Sequence, residues 1–162
     1  MIEHKPLYQA MITAVSQTLE NMVFMEVMEH FDRTYEIPAE ELVWTSLLIN
    51  DPVQGEIRLA MSNDLLKKLT GNVFGIDPED ITQPQMDDIL NELLNTIVGL
   101  FLTNLLADNQ EYKMGLPELG EEPLPEVDAD TIVWKLMTSD EDPLQIYASG
   151  ASIVALNDNN NN

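Results

Sequence analysis

Two carboxylates, one carboxamide and one glycine recur about a helical turn apart in a long apolar segment of this chain. At about 100° per residue, Asp88, Glu92, Asn95 and Gly99 fall within about 60° of one another on an α-helix. A carboxamide can accept a hydrogen bond from water while it donates one to another oxygen. A carboxylate one turn away can bind a cationic group. These four residues, the polar stripe, could therefore orient a water molecule and hold a partner beside it.

The segment that carries the polar stripe predicts a helix over residues 85–107, and almost every other position in it is apolar. This apolar arc is too wide for a surface helix with one narrow buried face, and it comprises Ile89, Leu90, Leu93, Leu94, Ile97, Val98, Leu100, Phe101 and Leu105. The polar stripe is thus the expected wet side of the helix. A Glu-x-x-Asn pattern is by itself also typical of an ordinary solvated face, and Gly99 is equally compatible with close helix packing.

Size and charge restrict the class of partner. The chain has 162 residues, 44% of them apolar, which is enough for one well-cored domain. Seven basic and 29 acidic residues give a formal net charge of −22, which repels nucleic-acid phosphates and anionic lipid. We therefore expect no nucleic acid and no membrane as partner, but a protein or a small ligand.

Residue types also restrict the compartment and the kind of site. Cysteine is absent, which excludes disulfides and thiolate sites, while His4 and His30 are too few and too scattered for a histidine metal cluster. Both histidines are expected at the surface. The N-terminus lacks a signal-peptide core, and the longest apolar run, residues 96–107, is too short to span a membrane. A cytoplasmic protein with no metal or cofactor of its own is expected.

Apolar periodicity and turn residues predict the remaining elements. A first long helix covers residues 6–31, and a short helix capped by Ser62 or Asn63 covers residues 64–73. The predicted strands cover residues 42–50, 56–62, 112–116, 131–138 and 144–156, with Gly150 as a bulge or bend in the last one. An acidic, proline-containing connection, residues 118–130, is not expected to add core.

This order predicts an α+β fold in which two long helices pack on one face of an antiparallel sheet. Residues 1–156 are expected to form a single domain, and the asparagine-rich residues 157–162 a disordered tail.

The first helix contains a partial copy of the polar stripe. Ser16, Glu20 and Val23 repeat the spacing of Asp88, Glu92 and Asn95, which indicates two half-units related by internal pseudo-symmetry. Valine cannot orient a water molecule, so one functional site is expected, on the second long helix. Ser16 and Glu20 are interpreted as a relic or a solvated pair.

Other groups of residues receive simpler interpretations. The acidic run Asp140-Glu141-Asp142 lacks the ligand spacing of a calcium loop and is interpreted as a solvated hairpin turn. Trp44 and Trp134 lie on predicted strands and are interpreted as core or interface anchors.

The element order, together with Glu92-Leu-Leu-Asn95 followed by Gly99 in the second long helix, resembles the CheC/CheX/FliY family of chemotaxis phosphatases, and most of all the CheX branch. The family pattern is Asp or Ser, three residues, Glu, two residues, Asn, and a more distant proline. Asp88, Glu92, Asn95 and Pro117 match these positions, with 21 residues between Asn95 and Pro117. The resemblance covers nearly the whole chain, including Gly55-Glu-Ile-Arg-Leu in the first hairpin.

The resemblance implies an enzyme that hydrolyses the aspartyl phosphate of a CheY-like receiver domain, which supplies its own Mg²⁺. In that role Asn95 positions the attacking water and Glu92 docks on the receiver lysine. Asp88 is a supporting residue, Gly99 leaves room for a loop of the partner, and Pro117 shapes the wall of the site. The family also implies a homodimer joined through sheet edges, which would suit the predicted C-terminal strand.

Two other functions remain open at the level of sequence. One is a non-catalytic adaptor that keeps the fold and binds a receiver or a flagellar component without turning it over. The other is a purely structural dimerisation domain.

Overall fold

A computed structural model describes residues 6–29, 36–106 and 108–159, the last three of these as backbone alone. The described helices and strands, in chain order, are α1 (Pro6–Val23), β1 (Val27–Glu29), β2 (Leu42–Asp51), β3 (Gly55–Ser62), α2 (Asn63–Phe74), α3 (Gln83–Leu105), β4 (Lys113–Met114), β5 (Glu118–Leu119), β6 (Thr131–Thr138), β7 (Pro143–Ser149) and α4 (Ala151–Asn159). His4 and His30 lie outside the described residues.

The strands form one antiparallel sheet in the order β1-β6-β7-β3-β2-β4, with β5 also paired to β2. Alternate side chains of the four long strands face α1 and α3 and form the core with them. Leu47, Ile57, Leu59 and Ile146, for example, are at most 2% exposed. The expected α+β architecture, with two long helices on an antiparallel sheet, is confirmed.

Strand β7 lies at the centre of the sheet, between β6 and β3. The C-terminal strand therefore cannot supply the sheet edge of a dimer, contrary to the expectation from sequence. The edges are β1 on one side and the β4 and β5 segment on the other. None of the helices in the described part of the chain has the length and hydropathy that a bilayer span requires.

Local capping explains the boundaries of the short helix. The Ser62 hydroxyl accepts a hydrogen bond from the Leu65 amide (3.0 Å) at the start of α2. At its other end, Gly75 adopts the left-handed conformation (φ 65°) and donates to the Gly71 carbonyl. The predicted short helix is confirmed, and of its two candidate caps, Ser62 and Asn63, the structure has Ser62.

Helix α1 is shorter than its apolar repeat predicts. It ends at Val23 rather than near residue 31, because Phe24 has a φ of 59°. A bulky residue rarely adopts this left-handed conformation, and a right-handed helix cannot continue through it. The Met25 amide then donates to the Leu19 carbonyl (3.2 Å), and the chain enters β1.

The predicted last strand is wrong beyond Ser149. Gly150 has a φ of 131°, a conformation open mainly to glycine, and it turns the chain from β7 into α4. Ile153 of α4 is fully buried and packs against Gly55, so the apolar residues of this segment are buried by a helix rather than by a strand.

The asparagine-rich tail is also partly corrected. Helix α4 continues to Asn159, so the backbone of residues 157–159, which the sequence predicts to be disordered, is helical. Residues 160–162 of that prediction lie outside the described residues.

The acidic connection contributes structure that its composition does not predict. Residues 118 and 119 form β5 on the edge of β2, and the predicted strand over residues 112–116 is reduced to β4. The Trp44 ring packs on Gly120, and its indole N–H donates to the Glu122 carbonyl (2.8 Å). Trp44 thus anchors this connection to the sheet rather than filling the core.

The second tryptophan is a core residue, as expected. Trp134 is fully buried, its ring stacks on Tyr8 of α1 at a centroid distance of 5.4 Å, and its indole N–H donates to the Tyr8 carbonyl. This contact fixes α1 on the sheet.

The two halves of the chain share one order of elements. In each half a long helix is followed by a short edge strand or strand pair, a hairpin of two long strands and a shorter helix. The strand order also fits this correspondence. If β1, β2 and β3 are exchanged with β4, β6 and β7, the order read from one edge of the sheet equals the original order read from the other edge. Internal pseudo-symmetry would produce this arrangement, and the symmetry itself stays a prediction.

Candidate active site

Helix α3 carries the polar stripe, and its N-terminus is closed by its own side chains. The Thr82 hydroxyl accepts from the Gln85 amide (3.4 Å), and the Gln85 side chain accepts from the Thr82 amide (2.9 Å). This capping box satisfies two backbone donors that would otherwise lack partners. Pro84 lies in the first turn, where a missing amide hydrogen costs little.

The polar stripe lies on the solvent side of α3. Asp88 and Glu92 are exposed, and Asn95 and Gly99 are half-buried. The opposite side of the helix is buried in the core, and its residues that are at most 2% exposed are Leu90, Leu93, Leu94, Ile97, Val98, Phe101 and Leu102. The helix therefore presents the four predicted residues together on one accessible face.

The Asn95 carboxamide is free to bind a ligand. Within the described residues it makes no hydrogen bond to the protein, so both its acceptor oxygen and its donor nitrogen are available. Because the side chain is half-buried on a capped, well-packed helix, the amide is held near the surface with less freedom than a fully exposed one.

The carboxylates of the polar stripe are not neutralised by the described part of the chain. Glu92 Oε1 accepts a hydrogen bond from the Thr96 hydroxyl (3.3 Å), which fixes its direction. The ion pairs between described residues involve other carboxylates, those of Glu56, Asp140 and Asp142. Glu92 is therefore available to a cationic group from outside the chain.

One flank of α3 is fixed to the sheet through a buried hydroxyl. Thr45 of β2 is fully buried, and its Oγ1 lies 2.6 Å from Asn91 Oδ1 and 3.0 Å from the Glu118 carbonyl oxygen. A hydroxyl has one hydrogen, so both contacts are satisfied when the Asn91 amide is turned to donate to Thr45 while Thr45 donates to Glu118. This network joins the helix, the sheet and β5.

The same flank meets the connecting segment again two turns further along the helix. A Cβ atom placed on Gly99 would lie 3.9 Å from the Tyr112 hydroxyl oxygen and, apart from its chain neighbours and the backbone of its own helix, within 4 Å of no other atom of the described residues. The surface at Gly99 is thus open apart from this tyrosine. Close helix packing, the alternative explanation for Gly99, is not what the structure shows.

Asn95 lies midway between these two contacts. Because Asn91, Asn95 and Gly99 are four residues apart, they line one side of the helix. Asn91 contacts Thr45, whose hydroxyl also contacts Glu118, and Gly99 lies beside Tyr112, so the two positions that flank Asn95 lie near the two ends of the segment 112–119. Pro117 belongs to that segment, half-buried and directly before Glu118, and its expected place in the wall of the site stays a prediction.

Sequence reasoning did not single out Asn91, Thr45 or Tyr112. Asn91 could have been noticed, because it precedes Asn95 by one turn and carries the same side chain. Thr45 looks like any strand residue, and Tyr112 reaches α3 through the tertiary path of a connection. No local pattern indicates either of the last two.

The partial copy of the stripe on α1 offers no second amide. Glu20 is exposed, but Val23 is fully buried at the end of the helix. Its carbonyl accepts from the Asn72 side chain (3.0 Å), which joins α1 to α2. Its position has a structural role, so the stripe on α3 is the candidate site.

The acidic hairpin turn is held by a lysine. Lys68 Nζ lies 2.6 Å from Asp142 Oδ2 and 3.8 Å from Asp140 Oδ2, and the hydrogen bond that Lys68 donates to Asp142 raises the pKa of Lys68. In the described ranges, no group of three histidine, cysteine, aspartate or glutamate side chains could hold a metal ion.

Residues 45–131 match the family model of the chemotaxis phosphatase CheX. This region is more than half of the 162 residues and contains the whole polar stripe and Pro117. Among curated protein sequences, none is significantly similar to the chain.

Solved structures share the fold at low sequence identity. CheX from Vibrio vulnificus is 13% identical and has a TM-score of 0.69, with 88% of this chain and 95% of that one covered. CheX from Desulfovibrio desulfuricans is 14% identical and has a TM-score of 0.69, with 88% and 97% covered. The Borrelia burgdorferi crystal structure of a CheX-CheY-BeF3-Mg²⁺ complex matches at 15% identity and a TM-score of 0.68, with 87% and 95% covered.

At these identities the structural similarity establishes the fold, and the family match adds the sequence pattern. Both concern the same helix and sheet that position the polar stripe. The chain belongs to the CheX family of chemotaxis phosphatases.

Proposed function

We propose that this protein is a phosphatase that hydrolyses the aspartyl phosphate of a CheY-like receiver domain, with Asn95 positioning the attacking water. The single observation that carries the proposal is the state of Asn95. It is a carboxamide without a hydrogen-bond partner in the described residues, held on the open face of a rigid helix. Family membership supports the reaction class.

The chemistry requires positioning more than activation. Water attacks the phosphorus atom, the bond from phosphorus to the aspartyl oxygen breaks, and the products are inorganic phosphate and the free aspartate. The receiver brings its own Mg²⁺ and lysine, which stabilise charge on the phosphoryl oxygens. The missing part is a water held in line with the leaving oxygen, and a neutral amide can hold it without repelling the phosphoryl group.

Glu92 is proposed to bind the receiver lysine. Its carboxylate is exposed, is oriented by Thr96 and has no cationic partner among the described residues. An ion pair formed there on docking would fix the register of Asn95 against the phosphoryl group. Asp88 is assigned a supporting place beside Glu92, because a further anion close to phosphate would oppose the reaction.

Gly99 and Pro117 are proposed to shape the site. The open surface at Gly99 lets a loop of the receiver approach the helix backbone. Pro117 is proposed to form part of the wall of the site. Neither is assigned a chemical step.

The proposed partner, its ion and the assembly state follow from the family. The Borrelia burgdorferi CheX structure contains CheY with BeF3 and Mg²⁺, which supports a receiver that brings Mg²⁺ of its own. We also propose a cytoplasmic homodimer joined through sheet edges. In this chain β1 or the β4 and β5 segment would provide the edge, and light scattering of the purified protein would test it.

The decisive experiment measures the decay of a phosphorylated receiver. CheY-like receivers from the same genome, labelled with acetyl [³²P]phosphate and freed of the donor, are mixed with the protein in Mg²⁺ buffer. Faster loss of label from at least one receiver, with release of inorganic phosphate, is the expected result. Binding to the BeF3-loaded receiver without faster decay would contradict the phosphatase and favour the adaptor.

A further inference from the structure

Tyr112 occupies the C-terminal end of the polar stripe, although it lies outside α3. Its hydroxyl oxygen lies 3.9 Å from the position of a Cβ on Gly99. Gly99 follows Asn95 by four residues, so the two lie on the same side of the helix, about 6 Å apart along its axis. The tyrosine hydroxyl therefore lies beside the helical position one turn beyond the candidate catalytic residue.

The backbone that follows Tyr112 is firmly held. Lys113 and Met114 pair with Asp51 and Ile49 at the edge of β2, and the Gly115 amide donates to the Leu48 carbonyl (2.7 Å). The ring is therefore placed over α3 by a strand, not by a free loop. The ring is thus held on a regular element of the fold, as a residue that recognises a partner should be.

The side chain itself has a feature that packing does not require. Tyr112 is 36% exposed, and its hydroxyl forms no hydrogen bond with the rest of the described chain. A ring needed for packing over Gly99 would work as well without a hydroxyl. A rigid ring with an available polar end at the rim of a site is instead typical of residues that contact partners.

We propose that Tyr112 is a partner-binding residue of the site, whose ring and hydroxyl contact the docked receiver beside its phosphoaspartate. This inference rests on the proposed phosphatase function and adds a second contact to it. Glu92 would hold the receiver on one side of Asn95, and Tyr112 would hold it on the other. The docked phosphoryl group would then be fixed from both sides of the amide.

The experiment compares Tyr112→Ala and Tyr112→Phe with a matched control, Phe74→Ala. Phe74 is also a partly exposed aromatic residue (46%), but it lies at the end of α2. For each variant, KM and kcat are measured with the phosphorylated receiver, and Kd with the BeF3-loaded receiver. We expect Tyr112→Ala to raise KM and Kd about tenfold and to leave kcat within about twofold, as for an aromatic interface contact.

Tyr112→Phe should raise both constants about threefold if the hydroxyl bonds to the receiver. The control should behave as the wild type. Unchanged KM and Kd in Tyr112→Ala, with an active wild type, would overturn the inference. Equal losses in Tyr112→Ala and Phe74→Ala would overturn it as well, since they would reflect general destabilisation.

Failure of the proposed function gives a different result. In that case the wild type itself neither dephosphorylates nor binds any receiver. Circular dichroism and a thermal melt of each variant report folding. If Tyr112→Ala does not fold, the conservative Tyr112→Phe carries the test, and wild-type KM and Kd in that variant would then overturn the role of the hydroxyl.

Discussion

Replacing Gly99 by alanine should stabilise the fold. Glycine in a helix interior costs about 0.5–1 kcal/mol relative to alanine, because it loses more backbone freedom on folding. The new methyl group would lie 3.9 Å from the Tyr112 hydroxyl oxygen, an ordinary van der Waals distance, and outside its own helix it would meet no other described atom within 4 Å. No packing penalty therefore offsets the gain. For a chain of this size we expect a Tm increase of about 1–4 °C.

A second helical glycine provides the control. A Cβ on Gly71 in α2 would lie 3.2 Å from the Ile76 carbonyl oxygen and 3.4 Å from Ile81 Cδ1. These contacts are tight, so Gly71→Ala should gain less stability than Gly99→Ala, or lose some. Differential scanning calorimetry or urea unfolding of the two variants gives the comparison. A lower Tm for Gly99→Ala would refute the argument from helix propensity and open space.

The same substitution should weaken the proposed enzyme. If the receiver approaches the bare backbone at Gly99, a methyl group there overpacks the interface by about 1 kcal/mol, which corresponds to roughly a fivefold higher KM. Asn95 is untouched, so kcat should change little. A more stable variant with an unchanged KM would contradict the view that Gly99 is an open docking position.

The remaining predictions concern the stripe, the substrate and alkaline pH. Asn95→Ala should lower kcat by about 100-fold or more while Kd for the BeF3-loaded receiver stays within about threefold. Glu92→Ala should both lower kcat and raise Kd. The wild type should not hydrolyse free acetyl phosphate in a phosphate-release assay, since that substrate brings no Mg²⁺ site or lysine to this acidic surface. Asp142 raises the pKa of Lys68 above 10.5, and burial raises that of Tyr147 above 10.0, so the native state keeps protons that the unfolded state loses. The free energy of unfolding, measured with urea, should therefore fall above about pH 10, and it should fall less steeply with pH in the variant Tyr147→Phe.

The fold was predictable where one local signal dominates. The apolar arc of α3, the alternation in the β2 and β3 hairpin and the Ser62 cap each depend on neighbours within a few residues. The polar stripe belongs to the same class, because a helix places residues three and four apart on one side whatever the rest of the chain does.

The wrong predictions concern segments whose backbone conformation is set by tertiary contacts rather than by local sequence. Residues 24 and 150 have positive φ values, and an apolar repeat does not reveal that the backbone turns there. The β5 residues lie in an acidic, proline-rich stretch with little strand propensity. They become a strand because the edge of β2 offers unpaired backbone groups.

The candidate site likewise combines residues that local spacing reveals with residues that only the tertiary structure brings together. Asp88, Glu92, Asn95 and Gly99 lie on one element and could be found from spacing alone. The residues that hold that element in place, Thr45 and Glu118, are 46 and 27 positions away from Asn91 in the printed sequence. The contacts of Thr45 with Asn91 and with Glu118 depend on the register of β2 against both α3 and β5, which no single segment of sequence specifies.

A net charge of −22 is at first sight a poor property for a protein that acts on phosphate. Under the proposed function this negative charge is compatible with the substrate, because the phosphoryl group arrives already bound to the receiver's Mg²⁺ and lysine. The stripe then has to supply an uncharged group at the reacting centre and negative charge one turn away, where the partner's cation lies. Asn95 and Glu92 have this arrangement, and their order on the helix would select a phosphoryl group that is carried and neutralised by another protein over a free phosphate ester.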